Sequence, residues 1–150
     1  MGTQTIEEAS ELYTDGSRFW SSEKGCFVTG WAIYNAETKE HKKGSLPGGC
    51  SAQKAKLEAV KQALLLPRPV NIYIDSEYVV RVLASSLPIW ARRGLITAGG
   101  KPISHQEVLT AIWSLIKDDN PSTVSINKVK AHTKNEVHSQ ANKIVDRLAK

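Results

Sequence analysis

Only two cysteines, Cys26 and Cys50, occur in 150 residues, and they form no metal-binding pair. That excludes a zinc ribbon and a disulfide-stapled scaffold; reduced thiols in an intracellular compartment are the expectation. No apolar run approaches the roughly 18 residues that cross a bilayer. The N-terminus has neither the basic region nor the apolar region of a signal peptide. Internal repeats and low-complexity linkers are absent too. Acidic residues are missing from 81–101, a stretch that carries Arg81, Arg92, Arg93 and Lys101. Lys128, Lys130 and Lys134 make a second basic stretch, whereas Glu7, Glu8, Glu11, Asp15 and Glu23 tilt the first 23 residues toward acid. With 20 Lys+Arg against 15 Asp+Glu, the net charge of +5 permits an anionic partner without requiring one. What is present is ordinary: 41% hydrophobic and 23% charged residues fit one globular domain with one sizeable core. The chain starts at Met1-Gly2 and stops inside a helical pattern, so a domain excised from a larger product is expected.

Turn residues and periodicity divide the chain. Leu12–Asp15 reads as a short strand ending in a turn at Gly16-Ser17. Phe27–Tyr34 and His41–Leu46 read as two more strands. Pro47-Gly48-Gly49 breaks the chain, and Ser51 caps a helix running to Leu65. Pro67-Arg68-Pro69 ends it. Val70–Asp75 alternates as a strand, followed by a short helix from Ser76 to about Ser85 and a break at Leu87-Pro88. Residues 91–103 read as a Gly-rich basic loop. Ser104 and Glu107 have capping-box spacing for a helix reaching Lys117. Thr123–Lys130 is the last strand, and a helix runs from about Ser139 to the end. Three strands followed by alternating helix and strand predict an α/β domain, a mixed sheet with helices on its faces. The domain is expected over 11–150, with 1–10 as an N-terminal extension.

In the Ser51 helix, at about 100° per residue, Ala52, Ala55, Ala59, Val60, Ala63 and Leu64 share one arc. Lys56 lies inside that arc. Glu58 points roughly 200° away, with Lys54, Lys61 and Gln62 on the solvent side. An ammonium aimed at a core needs counter-charge, because burying it unpaired is costly. The alternative is a stem that snorkels past the alanines to water. Asp15 and Asp75 each end a predicted strand, where α/β sheets collect function, and Asp146 lies on the last helix. Converging carboxylates bind hard divalent cations through oxygen. Taken singly, the three also fit strand-end, helix-cap and solvated helix positions. Pairing of Lys56 with Asp15, Asp75 or both is the expectation. Trp20, Trp31 and Trp113 are expected in the core or at its edge.

Four motifs stand in a telling order: Tyr13-Thr14-Asp15-Gly16-Ser17, Ile74-Asp75-Ser76-Glu77-Tyr78, Lys130-Ala131-His132-Thr133 and Asn142 to Ala149. Together they resemble the ribonuclease H family, and most closely the ribonuclease H domains of gammaretrovirus-type reverse transcriptases. Ser51–Ala55 and Arg92-Arg93-Gly94-Leu95-Ile96-Thr97 are similar to segments there, so the resemblance covers about 11–150. It implies a ribonuclease H-like fold with a mixed five-stranded sheet. It also implies cleavage of the RNA strand of RNA–DNA hybrids with two Mg²⁺ ions held by an Asp, Glu, Asp, Asp set. Asp15, Asp75 and Asp146 take the three aspartate places as metal ligands. His132 matches a histidine near the scissile phosphate. Gln53 and Ser76 match positions that approach the hybrid backbone. Trp90, Arg92, Arg93 and Lys101 resemble a basic protrusion that contacts nucleic acid.

The glutamate place falls on Lys56. Exchanging a carboxylate for an ammonium changes the local charge by two units, so Mg²⁺ binding is expected to be weak or absent. Three readings follow: a retroviral-derived domain without nuclease activity, kept for nucleic-acid or protein binding, as in a captured retroelement; an active ribonuclease H carrying a substitution at position 56; and a pure protein-interaction scaffold. Expected partners are an RNA–DNA hybrid or other nucleic acid and the remaining domains of a larger polyprotein or host protein, with no membrane. The expected location is intracellular, or in a virion if the chain is viral.

Overall fold

Val70–Ile74 is rich in β-branched and aromatic residues, and it forms a strand whose five residues are all buried. Such a strand needs neighbours on both edges and cover on both faces. The computed structural model, which describes residues 6–47, 49–67, 69–92, 94, 105–116, 124–129 and 136–149, supplies both. Strands β1 (Ser10–Ser21), β2 (Cys26–Asn35), β3 (His41–Leu46), β4 (Val70–Ile74) and β5 (Val124–Lys128) make one sheet in the order β3-β2-β1-β4-β5. The β1–β2 and β2–β3 pairs are antiparallel, while β1–β4 and β4–β5 are parallel. This is the mixed five-stranded sheet that the sequence predicts.

Alternation along β1 places Leu12 and Tyr13 on opposite faces, and each face has its own core. Leu12, Ile33, Leu57, Ile72, Leu109 and Ile112 belong to the larger cluster, covered by α1 (Ala52–Leu64) and α4 (Gln106–Ile116). Tyr13, Ala32, Tyr73, Ala141 and Val145 belong to the smaller one, beneath α5 (Glu136–Leu148). Ser51 caps α1 as expected, its side chain accepting from the Lys54 N–H. Cys26 and Cys50 are both free. No helix among the described residues is long and apolar enough to cross a membrane.

Four expectations are corrected. Gly16-Ser17 is not a turn; β1 continues through it to Ser21. Glycine is there because α1 crosses so closely, not because the chain reverses. Pro88 does not break the helix either. Between α2 (Glu77–Arg81) and α3 (Leu87–Arg92) lies a π-helical turn, Val82–Ser86, in which the Leu87 N–H donates to the Val82 carbonyl. That wider turn relieves the clash a proline ring makes in α register. Leu57, outside the arc predicted for α1, is fully buried, because α1 packs on α4 as well as on β1 and β2. Trp20 is 59% exposed rather than a core residue, because the lengthened β1–β2 hairpin carries it past the covering helix. The Ser104 cap lies outside the described residues. Residues 6–10 are tied to the sheet: the Ile6 N–H donates to Asn71 Oδ1 at 2.8 Å, and Ser10 already belongs to β1.

Candidate functional site

Parallel pairing sets Tyr13 beside Tyr73 and Thr14 beside Ile74. One residue further on, the two strands end their pairing with Asp15 and Asp75 side by side. β4 stops at Ile74, so among the described residues β1 is paired from Asp15 to Ser21 only with β2. The sheet opens at the two aspartates, and the stacked rings of Tyr13 and Tyr73, 4.7 Å apart, lie beneath them.

Gly16 controls what can enter this opening. A Cβ there would lie 2.3 Å from the Lys56 backbone nitrogen and 2.4 Å from the Ala55 carbonyl carbon, so only glycine admits α1. The close crossing delivers Lys56 to the carboxylates. Its Nζ lies 3.4 Å from Asp15 Oδ1 and 3.5 Å from Asp75 Oδ1. Asp15 is 2% exposed, whereas Lys56 and Asp75 are each 21% exposed at the mouth of the site. Asp15 Oδ1 also accepts from the Gly16 N–H at 2.8 Å. Glu58 faces away from the site, as expected, held by Gln62 at 2.9 Å and Lys61 at 3.1 Å.

Burial pushes the Asp15 carboxyl up to about 7, aided by the charge of Asp75 and a side-chain hydrogen bond with Asp146. The Lys56 ammonium and the Gly16 N–H oppose that rise. Asp146 therefore reaches the cluster from α5 and brings a third carboxyl to it. For Lys56, burial favours the neutral amine, but Asp15 and Asp75 outweigh it and hold the pKa above the ordinary lysine range. The site is thus an ammonium between carboxylates, each stabilising the charge of the other.

The remaining sequence candidates are spread around this centre. Gln53 is exposed on the first turn of α1. Ser76 caps α2, accepting from the Val79 N–H at 3.4 Å. Trp90 is half-buried against the larger core, and Arg92 is exposed at the end of α3. His132, Arg93 and Lys101 lie outside the described residues. Two features escaped the sequence reading. One is the buried polar ladder in which Ser125 donates to Asn71 Oδ1 at 2.6 Å and Asn71 donates to Glu11 at 3.2 Å. The other is the exposed cluster of Arg18, Trp20 and Phe27, signalled only by i, i+2 spacing on a strand read as too short. A cleft of about 220 Å³ lined by Ser10, Leu12, Ile33, Glu40 and His41 lies at the opposite end of β1 and holds none of the aspartates.

Comparison with known proteins agrees with the geometry. The RNase H family model matches residues 7–150. The Gag-Pol polyprotein of woolly monkey sarcoma virus is 37% identical over 150 residues, covering 98% of this chain and 9% of the polyprotein. The chain therefore spans less than a tenth of that relative's length. The solution structure of the PFV (prototype foamy virus) RNase H domain superposes with a TM-score of 0.77 at 27% identity, covering 97% of this chain and 93% of that one. A foamy viral protease-reverse transcriptase in complex with RNA/DNA hybrid gives 0.76 at 26% identity, covering 99% of this chain and 21% of that one. With the family model matched over residues 7–150 and a retroviral polyprotein aligned over 98% of this chain, the chain belongs to the ribonuclease H family, and its relatives include retroviral polyproteins.

Proposed function

We propose that this domain binds RNA–DNA hybrid but cleaves it poorly or not at all, because the Lys56 ammonium fills a metal position between Asp15 and Asp75. One observation carries the reading: Lys56 Nζ lies 3.4 and 3.5 Å from one oxygen of each carboxylate. The donor set does not fit the Mg²⁺ pair that the family implies. Three carboxyls remain, and the fourth place holds a cation. A divalent cation about 4 Å from that ammonium meets repulsion of roughly 8 kcal/mol at an effective dielectric near 20. Hybrid as the ligand is supported by the foamy viral relative solved with one, and by exposed Gln53 on α1, the helix that carries Lys56; Arg92, exposed at the end of α3, joins the surface by family position. His132, Arg93 and Lys101 complete the proposed surface by family position. The relatives are parts of larger polyproteins, so further domains of the parent protein are proposed partners. A captured retroelement kept as a binding module fits this reading.

A second reading, an active Mg²⁺-dependent endoribonuclease, is favoured by the survival of Asp15, Asp75 and Asp146 in one cluster. Hybrid cleavage in Mg²⁺ and in Mn²⁺, by this chain and by Lys56→Glu, separates the two. The expected outcome is no detectable cleavage by the chain and recovered cleavage by Lys56→Glu. Robust cleavage by the unaltered chain overturns the proposal and establishes the second reading. No cleavage by either protein places the loss at more positions than 56.

A further inference from the structure

We propose that the free end of the β1–β2 hairpin is a stacking platform for unpaired nucleotides flanking a bound hybrid, built from Trp20, Phe27 and Arg18. The inference rests on the reading that the domain binds a hybrid, and it adds a site outside the aspartate cluster. Trp20 and Phe27 are 59% and 44% exposed and directly opposite each other in the β1–β2 register. Their rings meet edge to face, with centroids 5.2 Å apart, and the Arg18 guanidinium lies 3.8 Å from the centre of the Phe27 ring. Two adjoining rings left in water are costly unless something covers them.

The chemistry of the cover follows from the cluster. Aromatic rings with a guanidinium among them accept base faces, whatever the sequence, and the guanidinium also answers phosphate. Arg18 and Lys24 outnumber Glu23 at this end of the hairpin, so the local charge favours a polyanion. Paired bases keep their faces inside the duplex, and unpaired nucleotides are the ones that can offer them.

Position supports the same occupant. Arg18 and Trp20 follow Gly16 at two-residue spacing, so they share the sheet face that α1 crosses. Five residues of strand separate Asp15 from Trp20, about 17 Å. Along that distance β1 has no strand partner on the β4 side among the described residues. A strand of nucleic acid lying at the aspartates would follow the edge of β1 to reach the rings.

Fluorescence anisotropy tests this with three probes: a blunt RNA–DNA hybrid, the same hybrid with a single-stranded extension at either end, and the bare single strand. The extension is expected to strengthen binding on the order of tenfold. Trp20→Ala should abolish that gain while leaving blunt-hybrid affinity unchanged, and Trp20→Phe should keep part of it. Trp20 is exposed, so both variants should fold, which circular dichroism checks. Blunt binding without any gain from the extension, or a gain that survives Trp20→Ala, overturns the platform and leaves hybrid binding standing. Failure to bind the blunt hybrid sinks the hybrid-binding reading instead; Trp20-dependent capture of the bare strand then supports the platform, and none overturns it. Dissociation of a self-associated form by Trp20→Ala, with nucleic-acid affinity unchanged, makes the rings a protein contact and overturns the proposal.

Discussion

An ammonium between two carboxylates changes how this site responds to pH. Asp15 has its pKa raised to about 7 in the fold against an unfolded value near 3.9. The folded state therefore holds the proton more tightly, and the stability that Asp15 confers is full below about pH 4 and is lost as pH rises through 7. Lys56 limits that loss, because its charge favours the ionised carboxylate. Lys56→Met removes the limit and leaves Asp15 buried with Asp75 beside it. Urea unfolding followed by tryptophan fluorescence should show the variant less stable by about 1–3 kcal/mol at pH 8.5, toward or below the low end for breaking a buried pair because Lys56 is partly exposed. The gap should narrow at pH 5, where Asp15 is protonated in both proteins. An equal gap at both values would mean that Lys56 acts through its stem and not its charge. The same residue was legible in sequence because two lines met on it: helical periodicity aimed it at the core, and motif order set it in a carboxylate's place. Asp75 was legible as a strand-end aspartate, whereas Asp15, read the same way, lies within β1 at the point where pairing with β4 stops.

At the scale of elements, the site depends on how closely α1 lies on β1. Gly16→Ala puts a methyl 2.3 Å from backbone nitrogen and 2.4 Å from backbone carbon of α1, atoms that no rotamer change can move. We expect a loss of about 3 kcal/mol or more, read by thermal or urea unfolding. A melt like that of the parent would mean that α1 can slide outward freely, and that the Lys56 contacts do not depend on this crossing. The sequence showed Gly16 but misassigned its purpose, since a glycine beside a serine marks a turn as readily as a close approach. That misreading shortened β1 and hid the Arg18–Trp20–Phe27 cluster. Pro88 misled similarly: a proline signals a helix end, yet the π-helical turn before it lets the chain continue. Neither device leaves a mark in periodicity: the first answers a tertiary neighbour, α1, and the second accommodates the proline ring within the helix itself. α1 and β4 were read close to their observed bounds, since one buries a regular face and the other is a buried run of β-branched and aromatic residues; β3, which buries no residue, was read from the turns that flank it.

For the whole molecule the question is whether charge or shape holds the nucleic acid. The net charge of +5 is small, and the acidic N-terminal stretch lies apart from the basic residues 81–101. Binding is therefore expected to draw on a local set of cations, Arg92, Arg93 and Lys101, and not on the average charge. Each phosphate neutralised adds about 0.9 to the steepness of log K against log salt on B-DNA. Three such contacts predict a slope near roughly −3 for the blunt hybrid. Arg92→Ala should weaken binding and lower the steepness by about one. Trp20→Ala should leave the blunt-hybrid slope as it was, because stacking releases no counterions from phosphate. Because Lys56 already supplies the positive charge between the carboxylates, EDTA should leave affinity unchanged at matched ionic strength, whereas binding by Lys56→Glu should gain from Mg²⁺ through linkage. Measuring affinity across a salt series, with EDTA or Mg²⁺ at each step, reads all of these terms together. A slope near zero that ignores Arg92→Ala would mean phosphates are not being contacted, and the domain would then act as a protein-binding scaffold with a ribonuclease H fold.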